Sequence, residues 1–120
     1  MMLKKASRVA LVTRDRASAF RAGLSKFVHD RLPEVQLLNS KPNDDDLGDA
    51  VIIATVIWEG DFEGVLRRAK DVGIPVVVYL ASRDPARFPE WLRQQEDVVI
   101  LDFLGVDNIG EVLEKLLDRK

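Results

Sequence analysis

The chain has 120 residues, 47% of them hydrophobic and 32% charged, with 18 Lys and Arg against 20 Asp and Glu and no cysteine. That length suits one domain spanning residues 1–120, and the apolar fraction is too high for a disordered chain. A net charge of −2 makes the chain a poor generic phosphate-backbone binder, which needs massed cations, and the missing cysteine excludes a disulfide framework, a thiolate zinc site and a Cys nucleophile.

The first residues, Met1-Met2-Leu3-Lys4-Lys5, carry no apolar stretch after their charges and do not read as a secretory signal. No apolar run approaches the roughly 18 residues of a membrane span. A soluble cytoplasmic protein with no membrane or nucleic-acid partner is expected.

Val9-Ala10-Leu11-Val12 is a short aliphatic run without alternation, the pattern of a strand buried on both faces. Phe20, Leu24, Phe27 and Val28 mark one stripe of a helix, which Pro33 should stop. Glu34-Val35-Gln36-Leu37-Leu38 alternates and predicts an edge strand. Ten residues separate Asn39 from Ala50, and they include the polar run Ser40 to Asp46. That barely meets the minimum for a parallel crossover, so at most one or two helical turns from Asp44 are expected.

Ala50-Val51-Ile52-Ile53-Ala54, running on through Trp58, predicts a third strand. Phe62, Val65, Leu66 and Ala69 form the next helix stripe, with Asp61 as the expected N-cap and Gly73 as the stop. Val76 to Leu80 is the fourth strand. Asp84-Pro85 reads as N-cap and first helical position, and Pro89 limits the fourth helix to a short one through Trp91 and Leu92. Val98 to Leu101 is the fifth strand. Ile109, Val112, Leu113, Leu116 and Leu117 form the last helix, capped by Asp107.

Alternation of strand and helix implies parallel strands joined by right-handed crossovers. The expected fold is a three-layer αβα sandwich around a five-stranded parallel sheet of order 2-1-3-4-5, with a shortened crossover between strands two and three. Ligands of such sheets bind beyond the carboxyl ends of the strands. The candidates there are Thr13, Arg14 and Asp15 after strand one, Thr55 and Trp58 after strand three, Ser82 and Arg83 after strand four, and Asp102 after strand five.

Phe62 to Lys70 followed by Ile74 to Ser82 resembles the third helix and fourth strand of a response-regulator receiver domain, as do the total length and the spacing from Ser82 to Asp102. A working receiver would hold magnesium on an acidic pair after strand one. It would phosphorylate an aspartate at the end of strand three, and place Ser or Thr after strand four and Lys after strand five. These types follow from the chemistry, because a hard cation wants carboxylates and a lysine neutralises phosphoryl charge. Here Thr13-Arg14 stands at the acidic pair with Asp15 one place on, Ala54 or Thr55 at the acceptor, Ser82 at the hydroxyl and Asp102 at the lysine. The resemblance therefore implies a degenerate receiver, not an enzyme, needing no cofactor or metal.

Asp49 to Gly60 is similar to the third strand and aromatic loop of a flavodoxin, which would imply FMN or nucleotide binding. The phosphate loop of that family corresponds to Thr13-Arg14-Asp15-Arg16-Ala17-Ser18, which has no Gly, and Asp15 would repel an anion. In this alternative Arg14, Arg16 and Arg83 converge on an anion, with Ser82 and Thr13 bonding it. A third reading, a hydrolase using Glu59, Glu63 or Asp102, finds no specific pairing among them.

Simpler roles stand beside these. His29 reads as a solvated helix residue, Asp44 to Asp46 as a capped polar turn, Asp15 as an N-cap, and Arg67, Arg68, Lys70 and Asp71 as a wet helix face. Trp58 is either a lid on the core or a contact for a ligand or partner. Phe88, Trp91 and Phe103 cluster near strand five, an apolar edge that needs cover. A homodimer or protein partner is expected on the face of strand five, helix four and helix five.

Overall fold

The computed structural model describes residues 7–13, 18–95 and 98–118, with the backbone alone at 18–20, 85, 103 and 104. The elements run β1 (Arg8–Val12), α1 (Ser18–Arg31), β2 (Gln36–Ser40), β3 (Ala50–Thr55), α2 (Asp61–Val72), β4 (Val76–Leu80), two 3-10 turns (Pro85–Arg87 and Glu90–Gln94), β5 (Val98–Asp102), a 3-10 segment (Phe103–Asn108) and α3 (Ile109–Asp118). All strand pairs are parallel and the order is β2-β1-β3-β4-β5. This is the expected arrangement, a flavodoxin-like, Rossmann-type sheet. Among the described residues no helix is long and apolar enough to cross a membrane.

The aliphatic runs become strands because both of their faces are covered. Val9, Leu11, Ile52, Ala54, Val77 and Tyr79 face α1 and α3, meeting Leu24, Val28, Ile109, Leu113 and Leu116. Ala10, Val12, Val51, Ile53, Val78 and Leu80 face the other way, onto Phe62, Val65 and Ala69 of α2 and onto Phe88 and Leu92. Every residue of β3 and β4 is buried. Each fully buried aliphatic or Phe side chain contributes roughly 1.5–3 kcal/mol, so the central strands hold the layers together.

The structure corrects several local expectations. β2 starts at Gln36 and runs to Ser40, two residues later than its alternation implied, because its register is set by pairing Arg8 with Gln36 and Val12 with Ser40. Residues 41–49 contain no helix; a turn closes there instead, with the Asp44 N–H on the Lys41 carbonyl and the Lys41 N–H on the Asp44 carboxylate. A parallel crossover needs roughly 10–12 residues to seat a helix, and the connection is too short. Gly60, in helical conformation, stands at the N-cap of α2, so Asp61 is the first helical residue and not the cap. Asp107 lies inside the 3-10 segment leading to α3 and is not its cap.

Other expectations hold. Gly73 ends α2 in the left-handed region at φ 72°, with its N–H on the Lys70 carbonyl. Asp84 accepts the Ala86 N–H and opens the first 3-10 turn. The fourth helix is shorter than expected: it exists only as 3-10 turns, and Pro89 divides them.

Gly48 makes the entry to β3. Its φ is 64°, and a Cβ there would lie 2.5 Å from the Arg8 carbonyl oxygen. Gly48→Ala should therefore cost about 2–3 kcal/mol, from a left-handed conformation and a backbone clash together. Gly73→Ala, at φ 72° with open space around it, should cost only about 1 kcal/mol. Urea midpoints of the two variants check the difference.

Candidate functional site

The strand carboxyl ends form one edge of the molecule, and parallel registration gathers most of the expected residues there. Thr55 lies level with Leu80, and Leu80 with Asp102. The Ala81 N–H reaches the Thr55 carbonyl, which carries the chain from β4 into Ser82 and Arg83 beside the end of β3. Thr13, at the end of β1, is buried and gives its N–H to the Ser40 carbonyl of β2. Arg14 and Asp15, like Arg16, lie outside the described residues.

Thr55 shapes this edge. Its hydroxyl donates to the Ile57 carbonyl at 2.6 Å and accepts the Ile57 N–H at 3.3 Å. The strand therefore ends at Thr55, three residues earlier than the apolar run implied, and the chain turns sharply. That turn puts Val56 and Ile57 into solvent at 41% and 45% exposure, directly after six buried residues.

Trp58 returns toward the core. Its N–H bonds the Arg87 carbonyl at 2.9 Å, and its ring lies 5.2 Å from Phe62 and 6.0 Å, edge-on, from Trp91. It is half-buried against the α2 layer, and its indole N–H is enclosed without a hydrogen-bond acceptor among the described residues. Trp58 thus lies as a lid over Phe62, with Trp91 standing edge-on to it. Trp91 keeps 38% of its surface exposed, whereas Phe88 is buried in the core. Phe88 is therefore removed from the solvent-facing interface expected for it. The Phe103 side chain lies outside the described set, and its backbone opens the 3-10 segment.

On the β5 side, Asp102 lines a small recess of about 250 Å³ with Arg93 and Ile100. Tyr79, buried beneath the other face, has its phenol pushed above its ordinary range, first by burial and then by the Asp102 charge. Ser82 accepts the Asp84 N–H at 3.2 Å, an engagement within its own loop. The described residues contain no group of three His, Asp or Glu side chains placed to hold a metal ion.

Three polar residues take roles the sequence pattern did not reveal. Arg21 of α1 donates to the Thr13 carbonyl at 3.3 Å and buries its second guanidinium nitrogen with no partner among the described residues. His29, read as solvated, meets the Val35 carbonyl at 2.8 Å and ties the end of α1 to the approach of β2. Arg68, read as part of a wet face, instead donates to the Pro42 and Asp44 carbonyls at 2.7 and 3.2 Å. With no helix over residues 41–49, those carbonyls lack helical partners, and a long cation from α2 can satisfy them.

Thr55→Val should lose roughly 1–2 kcal/mol, because Ile57 would keep an unpaired N–H and carbonyl; Thr55→Ser should recover most of it, as thermal melts would show. The raised Tyr79 pKa makes its contribution complete below about pH 10, the unfolded tyrosine value. Stability should fall as pH rises from there through the folded value, since the unfolded state releases the proton first. Tyr79→Phe should flatten that alkaline decline in melts between about pH 9 and 11.

Compared with known proteins, the chain matches no family model, and no curated protein or solved structure is significantly similar to it. Its likeness to receivers and flavodoxins is therefore one of fold.

Proposed function

We propose that this chain is a non-catalytic, receiver-like protein-interaction module whose contact surface is the carboxyl edge of the sheet. The observation that carries this reading is the Thr55 turn. Where the receiver resemblance puts the acceptor carboxylate, at Ala54 or Thr55, the chain has a methyl group or a hydroxyl committed to its own backbone, with two exposed aliphatic side chains beside it. Val56, Ile57 and Trp91 supply the amphipathic and apolar contacts that anchor protein interfaces. Asp102 at the lysine position would repel a phosphoryl group, not neutralise it. The fold by itself argues for no chemistry.

The β5 edge is the place for a second copy in this reading. Val98 to Leu101 are only half-buried and pair with β4 alone among the described residues. An apolar edge strand of this kind is a template for further pairing.

Incubation with acetyl phosphate and magnesium, read by intact mass, should leave the protein unmodified; a stable gain of one phosphoryl group would overturn the reading. Ile57→Asp should leave the melting temperature within about 2 °C, because the residue is solvent-exposed, while abolishing capture of any partner retained by the unmodified chain. A yellow preparation, or stabilisation by FMN above about 2 °C, would favour the flavin-binding alternative.

A further inference from the structure

The opposite end of the molecule carries a second surface that owes nothing to the carboxyl edge. The turn before β3 and the last turns of α2 border an open groove of about 470 Å³. Its apolar lining is Leu47, Val72 and Ile74, and Val72 is 66% exposed, more than any other large aliphatic residue described. Arg68 forms one wall, fixed by its bonds to the Pro42 and Asp44 carbonyls.

The remaining lining is acidic. Asp46 is occupied, since it takes the Arg8 guanidinium and the Gly48 N–H, and the Arg8 bond above all holds its carboxyl below the usual range. Asp45 and Asp71 have no hydrogen bond or ion pair among the described residues. An occupant must therefore cover an aliphatic surface and also meet two carboxylates that make no ion pair among the described residues, beside Arg68, the one cation of the lining, which the loop carbonyls already hold. A purely apolar group would leave those carboxylates partly desolvated and unpaired. An anion would face them directly. A cation joined to an aliphatic chain satisfies both requirements.

We propose that this groove binds a short peptide segment carrying a Leu- or Met-type side chain next to Lys or Arg. The aliphatic side chain lies on Val72 and Ile74, and the cation reaches Asp45 and Asp71. The groove is open to solvent, so a small amine would bury little of its surface there, whereas a peptide can span it.

The test is an NMR titration of the isotope-labelled full chain with acetyl-Lys-Leu-Lys-Leu-Lys-amide. Saturable shifts should centre on the amides of Leu47, Val72 and Ile74, with a Kd on the order of 0.1–1 mM for so small a contact. Asp45→Asn with Asp71→Asn should weaken binding about three- to tenfold, as loss of two exposed ion pairs would. Val72→Ser should weaken it as well, and Ile57→Asp, at the far end, should not. All four substituted residues are exposed, and a melt confirms that each variant folds. The proposal fails if those amides do not shift, if the peptide with Glu in place of Lys binds equally, or if neutralising both aspartates changes nothing. It also fails if butylammonium binds as tightly as the peptide.

Discussion

The short connection between β2 and β3 is the constraint from which most of this molecule's surface follows. Nine residues, 41–49, carry the chain from the end of the edge strand across β1 to the start of the central strand. No helix fits in that length, so the layer that α2 begins must be completed by loop. Leu47 plugs into the core beside Phe62 and Val65, and Pro42 is buried with it. The loop's carbonyls are met by Arg68 from α2, and its end is fastened to β1 by the Arg8–Asp46 ion pair and the Arg8–Asp49 bonds. Gly48 completes the corner, because only a residue without Cβ can pass so close to the Arg8 carbonyl.

The two ends of the sheet differ for reasons that trace to single residues. At the carboxyl end a threonine binds its own turn and presents Val56 and Ile57 outward. At the amino end the absent helix leaves a gap between loop and α2, which becomes the groove beside Val72. Between them lies a sheet whose inner strands are closed on both faces. The helical layers are unequal as well. α1 and α3 lie side by side on one face, while the other is assembled from α2, two 3-10 turns and the loop. A face assembled from short pieces has more seams, and both surfaces discussed above lie along them.

The strands and their order were legible in the chain because burial on both faces writes itself locally, as runs such as Val51 to Ala54 and Val76 to Leu80. The amphipathic stripes of α2 and α3, the stop at Gly73 and the brevity of the fourth helix were equally local. The strip of candidate residues at the carboxyl ends followed from the topology, since parallel strands all end on one edge. Register was less legible. The alternation of β2 looked the same two residues earlier, and only pairing with β1 decided it.

Tertiary structure alone decided which way the polar and aromatic side chains turned. Arg68 sits among Arg67, Lys70 and Asp71, yet it points to carbonyls 24 and 26 residues away. Phe88 and Trp91, three residues apart, have opposite fates: one is buried with the α2 layer, and the other stands edge-on to Trp58 and stays partly exposed. Hydrophobic periodicity is a property of neighbouring residues, and a sequence carries it openly. A hydrogen-bonding side chain goes to whatever unsatisfied group the folded backbone brings within reach, and that group belongs to a distant part of the chain.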